Sequence, residues 1–172
     1  MKYRGFTLVE LISIIVLLSL LAAVALPRFL NLQDSAELAV VKSTESAFRY
    51  AVKIAQVKWR ASDEQRNNLA LSGSGFINMV DFSQFGCPVQ HWAINSEANP
   101  SADNSTDCLT VFLLIMDRCE NGLTDCGNQP DEKFEHGYLG NGICQYTYRD
   151  NTEYRLRYAT EVEGCTVTTS GF

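Results

Sequence analysis

Between Phe6 and Leu26 the chain runs for 21 residues with one charged side chain, Glu10. At about 1.5 Å of rise per residue a helix of that length covers roughly 32 Å, enough for a bilayer core of about 30 Å. This run constrains the chain more tightly than anything else in its 172 residues. Lys2 and Arg4 precede it, so the positive-inside bias keeps residues 1–5 cytoplasmic and sends the remainder outward. Glu10 is the anomaly. A charge under lipid is costly unless it is partnered, and such residues usually mark function. A secretory signal peptide cut after Ala25 would suit Ala23-Val24-Ala25, but the apolar run is long for a signal core and carries an acid near its start. A plain signal anchor gives Glu10 no purpose.

Composition agrees with a folded domain on the far side of the membrane. Hydrophobic residues make up 46% and charged residues 20%, a globular balance. The formal net charge of −6 argues against nucleic acid as a general partner, which would need a basic face. A local basic group remains in Arg149, Arg155 and Arg157, read as lying on neighbouring strands; its ordinary explanation is a solvated sheet face. All six cysteines, Cys87, Cys108, Cys119, Cys126, Cys144 and Cys165, fall in the C-terminal half. An even count behind a membrane segment predicts disulfides in an oxidising compartment. There is no CxxC spacing, and His91 and His136 are scattered, so a zinc site is not expected.

The stretch Arg4-Gly5-Phe6-Thr7-Leu8-Val9-Glu10 resembles the type IV prepilin signature, a short basic leader ending in glycine followed by Phe-Thr-Leu-x-Glu and an apolar helix. The resemblance implies cleavage of the Gly5–Phe6 bond by a prepilin peptidase and methylation of the new N-terminus at Phe6. Removal of Lys2 and Arg4 takes Lys plus Arg from 14 to 12 and the formal charge from −6 to −8. It also implies that Thr7 and Glu10 serve filament assembly. The Phe6 ammonium stands roughly one turn from Glu10, at an i, i+4 offset within one subunit. In a fibre the carboxylate can instead meet the ammonium of a neighbouring subunit. Under lipid that pairing sets register, because a misplaced subunit leaves an uncompensated charge.

Pro27 closes the strict apolar run and predicts a kink or local unwinding. Beyond it, Leu32, Ala36, Ala39/Val40, Ser43, Ala47, Tyr50/Ala51 and Ile54 recur at helical spacing and form one amphipathic stripe. Together these predict one helix from about Thr7 to Arg60. Ser62–Gly75 reads as a loop, Phe76–Phe82 as a short strand, and Phe85-Gly86-Cys87-Pro88 as a turn. Asn95–Asp107 is loop-like. Ser105, Thr106 or Asp107 offers an N-cap for a helix carrying Leu109, Phe112, Leu113 and Met116. Cys119–Gly142 reads as a surface excursion. Ile143–Arg149 and Glu153–Ala159 form a hairpin about Asp150-Asn151-Thr152, and Val162–Thr169 adds a third strand.

On a regular meander Cys144 and Cys165 would stand about 9–10 Å apart, too far for a bridge. The reading therefore leans to Cys108–Cys144, with Cys119–Cys126 closing the excursion and Cys87–Cys165 left by elimination; sequence alone allows fifteen connectivities. No phosphate loop, HExxH, GxSxG or Cys/His nucleophile pattern is present, so neither an enzyme nor a catalytic residue is expected. Glu132 and His136 form a conceivable i, i+4 metal pair, best explained as solvated charges. The acidic stretch 117–132 (Asp117, Glu120, Asp125, Asn128, Asp131, Glu132) has the oxygen ligands for Ca²⁺ but no recognisable loop spacing. No cofactor or resident metal is expected.

The Trp59 region, the strand before Phe85-Gly86-Cys87-Pro88, and Cys144-Gln145-Tyr146-Thr147-Tyr148 are similar to the mannose-sensitive haemagglutinin (MSHA) pilins. The extra cysteines depart from a one-bridge pattern and leave major or minor subunit open. The expected fold is α+β and type IV pilin-like: a leader (1–5), an apolar membrane or filament-core helix (6–27), its amphipathic continuation (28–61), and an antiparallel sheet head with disulfides (62–172). The resemblance implies a subunit of an adhesive surface pilus in a Gram-negative-type envelope. It would be anchored once in the inner membrane with its head in the periplasm, then become extracellular. Its expected partners are other pilin subunits, the prepilin peptidase and the pilus assembly machinery. The alternatives are a type II secretion pseudopilin and a secreted binding domain or enzyme tethered by a signal anchor.

Overall fold

The computed structural model describes residues 7–62, 68–70, 79–91, 100–116 and 131–171. The chain divides into two units, Met1–Ala39 and Val40–Phe172. Helix α1 runs from Leu8 to Ala61. Its first part supplies the first unit, where the apolar side chains from Leu8 to Phe29 are almost all exposed. Pro27 lies inside α1 and does not end it: the missing N–H removes one ladder bond, and the helix continues for another 34 residues to Ala61.

The second unit holds the rest of α1 and all the strands. Strands β1 (Asn68–Ala70), β2 (Met79–Phe82) and β3 (Pro88–His91) form one antiparallel sheet in that order. Helix α2 spans Ser105–Ile115. Strands β4 (Phe134–Tyr138), β5 (Ile143–Tyr148), β6 (Arg155–Ala159) and β7 (Val167–Ser170) form a four-stranded antiparallel meander. This is the α+β architecture of a long apolar N-terminal helix with a C-terminal antiparallel sheet and disulfides.

The face of α1 turned to the core is not the stripe that periodicity picks out. Ser43, Ala47, Tyr50 and Ile54 are exposed; the buried positions are Val41, Thr44, Phe48, Val52, Ala55, Gln56 and Trp59. Both series have helical spacing, so period alone does not choose between them. Volume does: a sheet face needs large side chains to reach interior packing density, and Phe48 and Trp59 supply them where alanine and serine do not. Phe48 lies among Phe112, Tyr146 and Tyr158 with ring centroids 5.2, 5.6 and 5.3 Å away. Strand alternation brings Cys144, Tyr146 and Tyr148 to the inner face of β5, and Leu156 and Tyr158 to that of β6. The two fully buried phenols are satisfied, Tyr146 Oη donating to the Cys108 carbonyl at 2.8 Å and Tyr158 Oη to that of Pro88 at 2.9 Å.

A smaller cluster joins Ala55 and Trp59 to Val80 and Phe82. Here the β2–β3 turn comes so close that a side chain at Gly86 has no room. A Cβ there would lie 2.4 Å from the Trp59 ring, and the backbone φ of +74° is one that glycine adopts freely. Two disulfides stitch the unit together: Cys87–Cys165, with Cα atoms 5.4 Å apart, and Cys108–Cys144, at 5.3 Å. The first ties the β2–β3 turn to the β6–β7 connection, and the second ties α2 to β5. Cys119 and Cys126 lie outside the described residues.

Three local readings need correction. The stretch read as a loop, Ser62–Gly75, contains β1, whose brevity and single leucine leave no alternation to detect. The excursion read from Cys119 to Gly142 contains β4; Gly137 within it and the Gly140-Asn141-Gly142 turn after it mask a strand that gains its stability from pairing with β5. The cap of α2 is Asn104, whose Oδ1 accepts from the N–H groups of Thr106 (2.8 Å) and Asp107 (3.0 Å). Asp107 answers by accepting from the Asp103 N–H at 3.1 Å and from Asn104 Nδ2 at 2.8 Å. The helix thus starts with a reciprocal cap, one residue before Ser105.

Candidate functional site

The N-terminal end of α1 carries Glu10, the one acid of the apolar run. Thr7 is the cap and Glu10 stands three residues on, the spacing of a capping box. Glu10 Oε2 accepts from the Thr7 N–H at 3.1 Å and from Thr7 Oγ1 at 3.0 Å, while the Glu10 N–H donates to Thr7 Oγ1 at 3.3 Å. The acid therefore sits over the first turn, where backbone N–H groups lack helical partners and the helix dipole favours negative charge. The Thr-x-x-Glu pattern that builds this cap is legible in the sequence and carries its own meaning beside the resemblance. Gly5 and Phe6 lie outside the described residues.

The polar groups further along the apolar run are satisfied within the helix. Ser13 Oγ donates to the Glu10 carbonyl at 2.9 Å, and Ser19 Oγ to that of Val16 at 2.8 Å. Such back-bonding lets a hydroxyl enter lipid without an orphan donor. None of the residues of this apolar stretch is buried within the chain. The result is a stretch of α1, Leu8 to Leu26, whose one charge is held at its tip.

In the second unit, α1 presents a second apolar stripe to the outside. Tyr50 is 68% exposed, Ile54 53% and Val57 66%, following the small residues Ser43 and Ala47 at helical spacing. Exposed apolar residues in a row on one helix face are a feature of surfaces that meet another chain.

Of the metal candidates, only Asp131, Glu132 and His136 fall among the described residues. Residues 117–130 of the acidic stretch lie outside the described residues. Asp131 is engaged locally, its Oδ1 accepting from the N–H groups of Lys133 (2.9 Å) and Phe134 (2.8 Å) to start β4. Glu132 lies in the bend before β4 and His136 inside the strand, so the helical i, i+4 geometry that would bring the two together is absent. Among the described residues no three His, Cys, Asp or Glu side chains form a group that could hold a metal.

His136 is half-buried on β4, opposite Tyr146, and its Nδ1 is buried with no hydrogen-bond partner. Burial, then the nearby Arg149 guanidinium, push its pKa below the ordinary imidazole value, against opposing pulls from Glu135 and Asp131. The folded head thus takes up this proton less readily than the unfolded chain. Stability is complete above about pH 6.5 and falls as pH drops from there toward the lowered folded value. A His136→Gln variant is expected to lose that part of the slope, measured as the chemical-denaturation midpoint between pH 7.5 and 5.

Comparison with known proteins agrees with the tip of α1. Residues 1–26 match the prokaryotic N-terminal methylation motif. The chain is 47% identical over 58 residues to the type IV narrow pilus major component of Thermus thermophilus, a match covering 34% of this chain and 50% of that protein. It is 25% identical over 146 residues to the type IV major fimbrial protein of Dichelobacter nodosus, covering 77% of this chain and 93% of that one. The chain thus spans half the length of the Thermus protein and nearly all of the Dichelobacter protein. No solved structure matches it. The N-terminal motif and both relatives align the chain with type IV pilins.

Proposed function

We propose that this protein is a structural subunit of a type IV pilus, of the MSHA type, that serves surface attachment. In this reading a prepilin peptidase cuts Gly5–Phe6 on the cytoplasmic side and Phe6 is methylated. The subunit waits in the inner membrane with its head in the periplasm, and the assembly machinery then draws it into an extracellular fibre. The observation that carries the reading is the tip of α1. An apolar stretch of α1, none of whose residues is buried in its own chain, begins at a capped glutamate within a matched N-terminal methylation motif.

Before assembly, the Thr7 amide and hydroxyl satisfy the Glu10 carboxylate and lower the cost of holding it near lipid. In the fibre the ammonium of a neighbouring Phe6 competes for the same oxygens. Helix packing supplies the bulk attraction, first along the apolar run and then along the Tyr50–Ile54–Val57 stripe. The head contributes shape and surface rather than chemistry.

Mass spectrometry of the protein from sheared fibres tests this reading. The expected chain lacks Met1–Gly5 and begins with a methylated phenylalanine. A chain that keeps Met1, or begins after Ala25, would instead support a signal anchor or a secreted domain.

A further inference from the structure

The head is acidic: residues 62–172 carry 16 Asp and Glu against six Lys and Arg. Its few cations are not scattered. Among the described residues after α1 the only Lys and Arg are Lys133, Arg149, Arg155 and Arg157, all exposed. Lys133 and Arg149 stand just before β4 and just after β5, and strand parity puts the other two on the outer face of β6. Arg155 and Arg157 alternate with buried Leu156 and Tyr158, Arg155 pairs with Thr147 and Arg157 with Gln145. The Arg149 N–H donates to the Lys133 carbonyl, which sets those two side by side at the start of β4.

The three guanidiniums are also held. Arg149 Nε donates to the Asp131 carbonyl at 3.2 Å, Arg155 Nε to that of Thr152 at 3.0 Å, and Arg157 Nε to Gln145 Oε1 at 3.0 Å. Each is thereby oriented through Nε, and its two terminal nitrogens remain for another acceptor. None of these cations forms an ion pair among the described residues, although Glu135 and Glu153 lie on the same face. Three fixed forks thus stand near one another, each with the geometry that recognises carboxylate or sulfate groups bidentately.

We propose that this face binds an extended anionic polysaccharide, the arginines taking its acidic groups and Gln145, Thr147, Thr168 and Ser170 its hydroxyls. The proposal rests on the attachment reading above and names the class of surface attached to. Arg155 and Arg157 stand about 6.7 Å apart along one strand, a spacing for sparse charges. Duplex DNA carries a charge every 1.7 Å or so, and an acidic head repels so dense a polyanion. Nor, among the described residues, does the face offer aromatic rings on which single-stranded bases would stack.

The full-length chain in detergent micelles, titrated with alginate and with chondroitin sulfate, both carrying about one charge per sugar, provides the test. Neutral dextran and duplex DNA serve as comparisons. Both acidic glycans are expected to bind with affinity that falls as salt rises, and neutral dextran is not. The Arg155→Gln/Arg157→Gln variant should bind at least about tenfold more weakly, with disulfides and fibre yield unchanged. The Arg155→Lys/Arg157→Lys variant, which keeps charge but loses the fork, should fall between. Arginine-dependent binding of DNA as tight as that of glycan would overturn the proposal in favour of nucleic acid. Unchanged glycan binding with loss of fibres would reassign the face to a contact between copies, and absence of all binding would leave a solvated face. A failure of the fibre reading shows separately, in the N-terminal mass, and leaves this titration interpretable.

Discussion

Cells carrying Glu10→Ala are expected to insert the protein in the membrane, cleave it, and make almost no fibres. In the proposed fibre the substitution removes the acceptor that would neutralise the Phe6 ammonium of an adjoining subunit. That ammonium would then enter the helical core of the fibre uncompensated, and fibre yield should fall by at least about tenfold. Alanine also deletes the Glu10 side of the cap, so a loss of fibres alone does not separate charge from capping. Glu10→Gln does. Its amide oxygen still accepts from the Thr7 N–H, and its volume is nearly that of glutamate, but it carries no charge. We expect Glu10→Gln to fail nearly as badly as alanine, read by electron microscopy of sheared fibres against subunit level in the membrane. Normal fibres with glutamine would show that the carboxylate acts as a helix cap and that register is set elsewhere.

The largest effect on the head is expected from Phe48→Ala. Phe48 is fully buried and meets three rings, one of them, Tyr158, edge-on at 88°. It is also the contact through which α1 reaches both α2 and the four-stranded sheet. Truncation loses the transfer energy of the ring and opens a cavity that two disulfides keep from collapsing, for about 3–5 kcal/mol in total. Against a typical domain stability of roughly 5–15 kcal/mol, that leaves little margin. The guanidinium midpoint of the oxidised protein should drop sharply. A shift corresponding to under about 1 kcal/mol would mean that Phe48 is not the keystone of this core. Ala47→Gly, next to it but on the exposed side, should cost only the helix propensity difference of about 1 kcal/mol.

Much of the head was accessible to local reading. The β5–β6 hairpin follows from alternation in Cys144-Gln145-Tyr146-Thr147-Tyr148 and Arg155-Leu156-Arg157-Tyr158. Each strand carries its own pattern and the intervening Asp150-Asn151-Thr152 its own turn chemistry. Strand β4 was not accessible. Phe134-Glu135-His136-Gly137-Tyr138 has a glycine, a glutamate and a histidine, and only hydrogen bonding to β5 makes it a strand. The core face of α1 escaped for a different reason: two stripes share the helical period, and only the shape of the sheet opposite selects Phe48 over Tyr50.

The N-terminal tip lies at the other extreme. Thr7 and Glu10 are three residues apart, and the apolar run follows without interruption, so cap, span and expected processing need no distant contact. What the chain alone settled was thus whatever is decided within one or two helical turns or one hairpin: the membrane-length helix and the paired strands near the C-terminus. What only the tertiary structure decided was which face of α1 is core, where Cys87 and Cys108 find Cys165 and Cys144, and that three arginines stand near one another on an acidic head. Those features depend on partners up to 78 residues away, and no local pattern encodes which distant surface will be there to receive them.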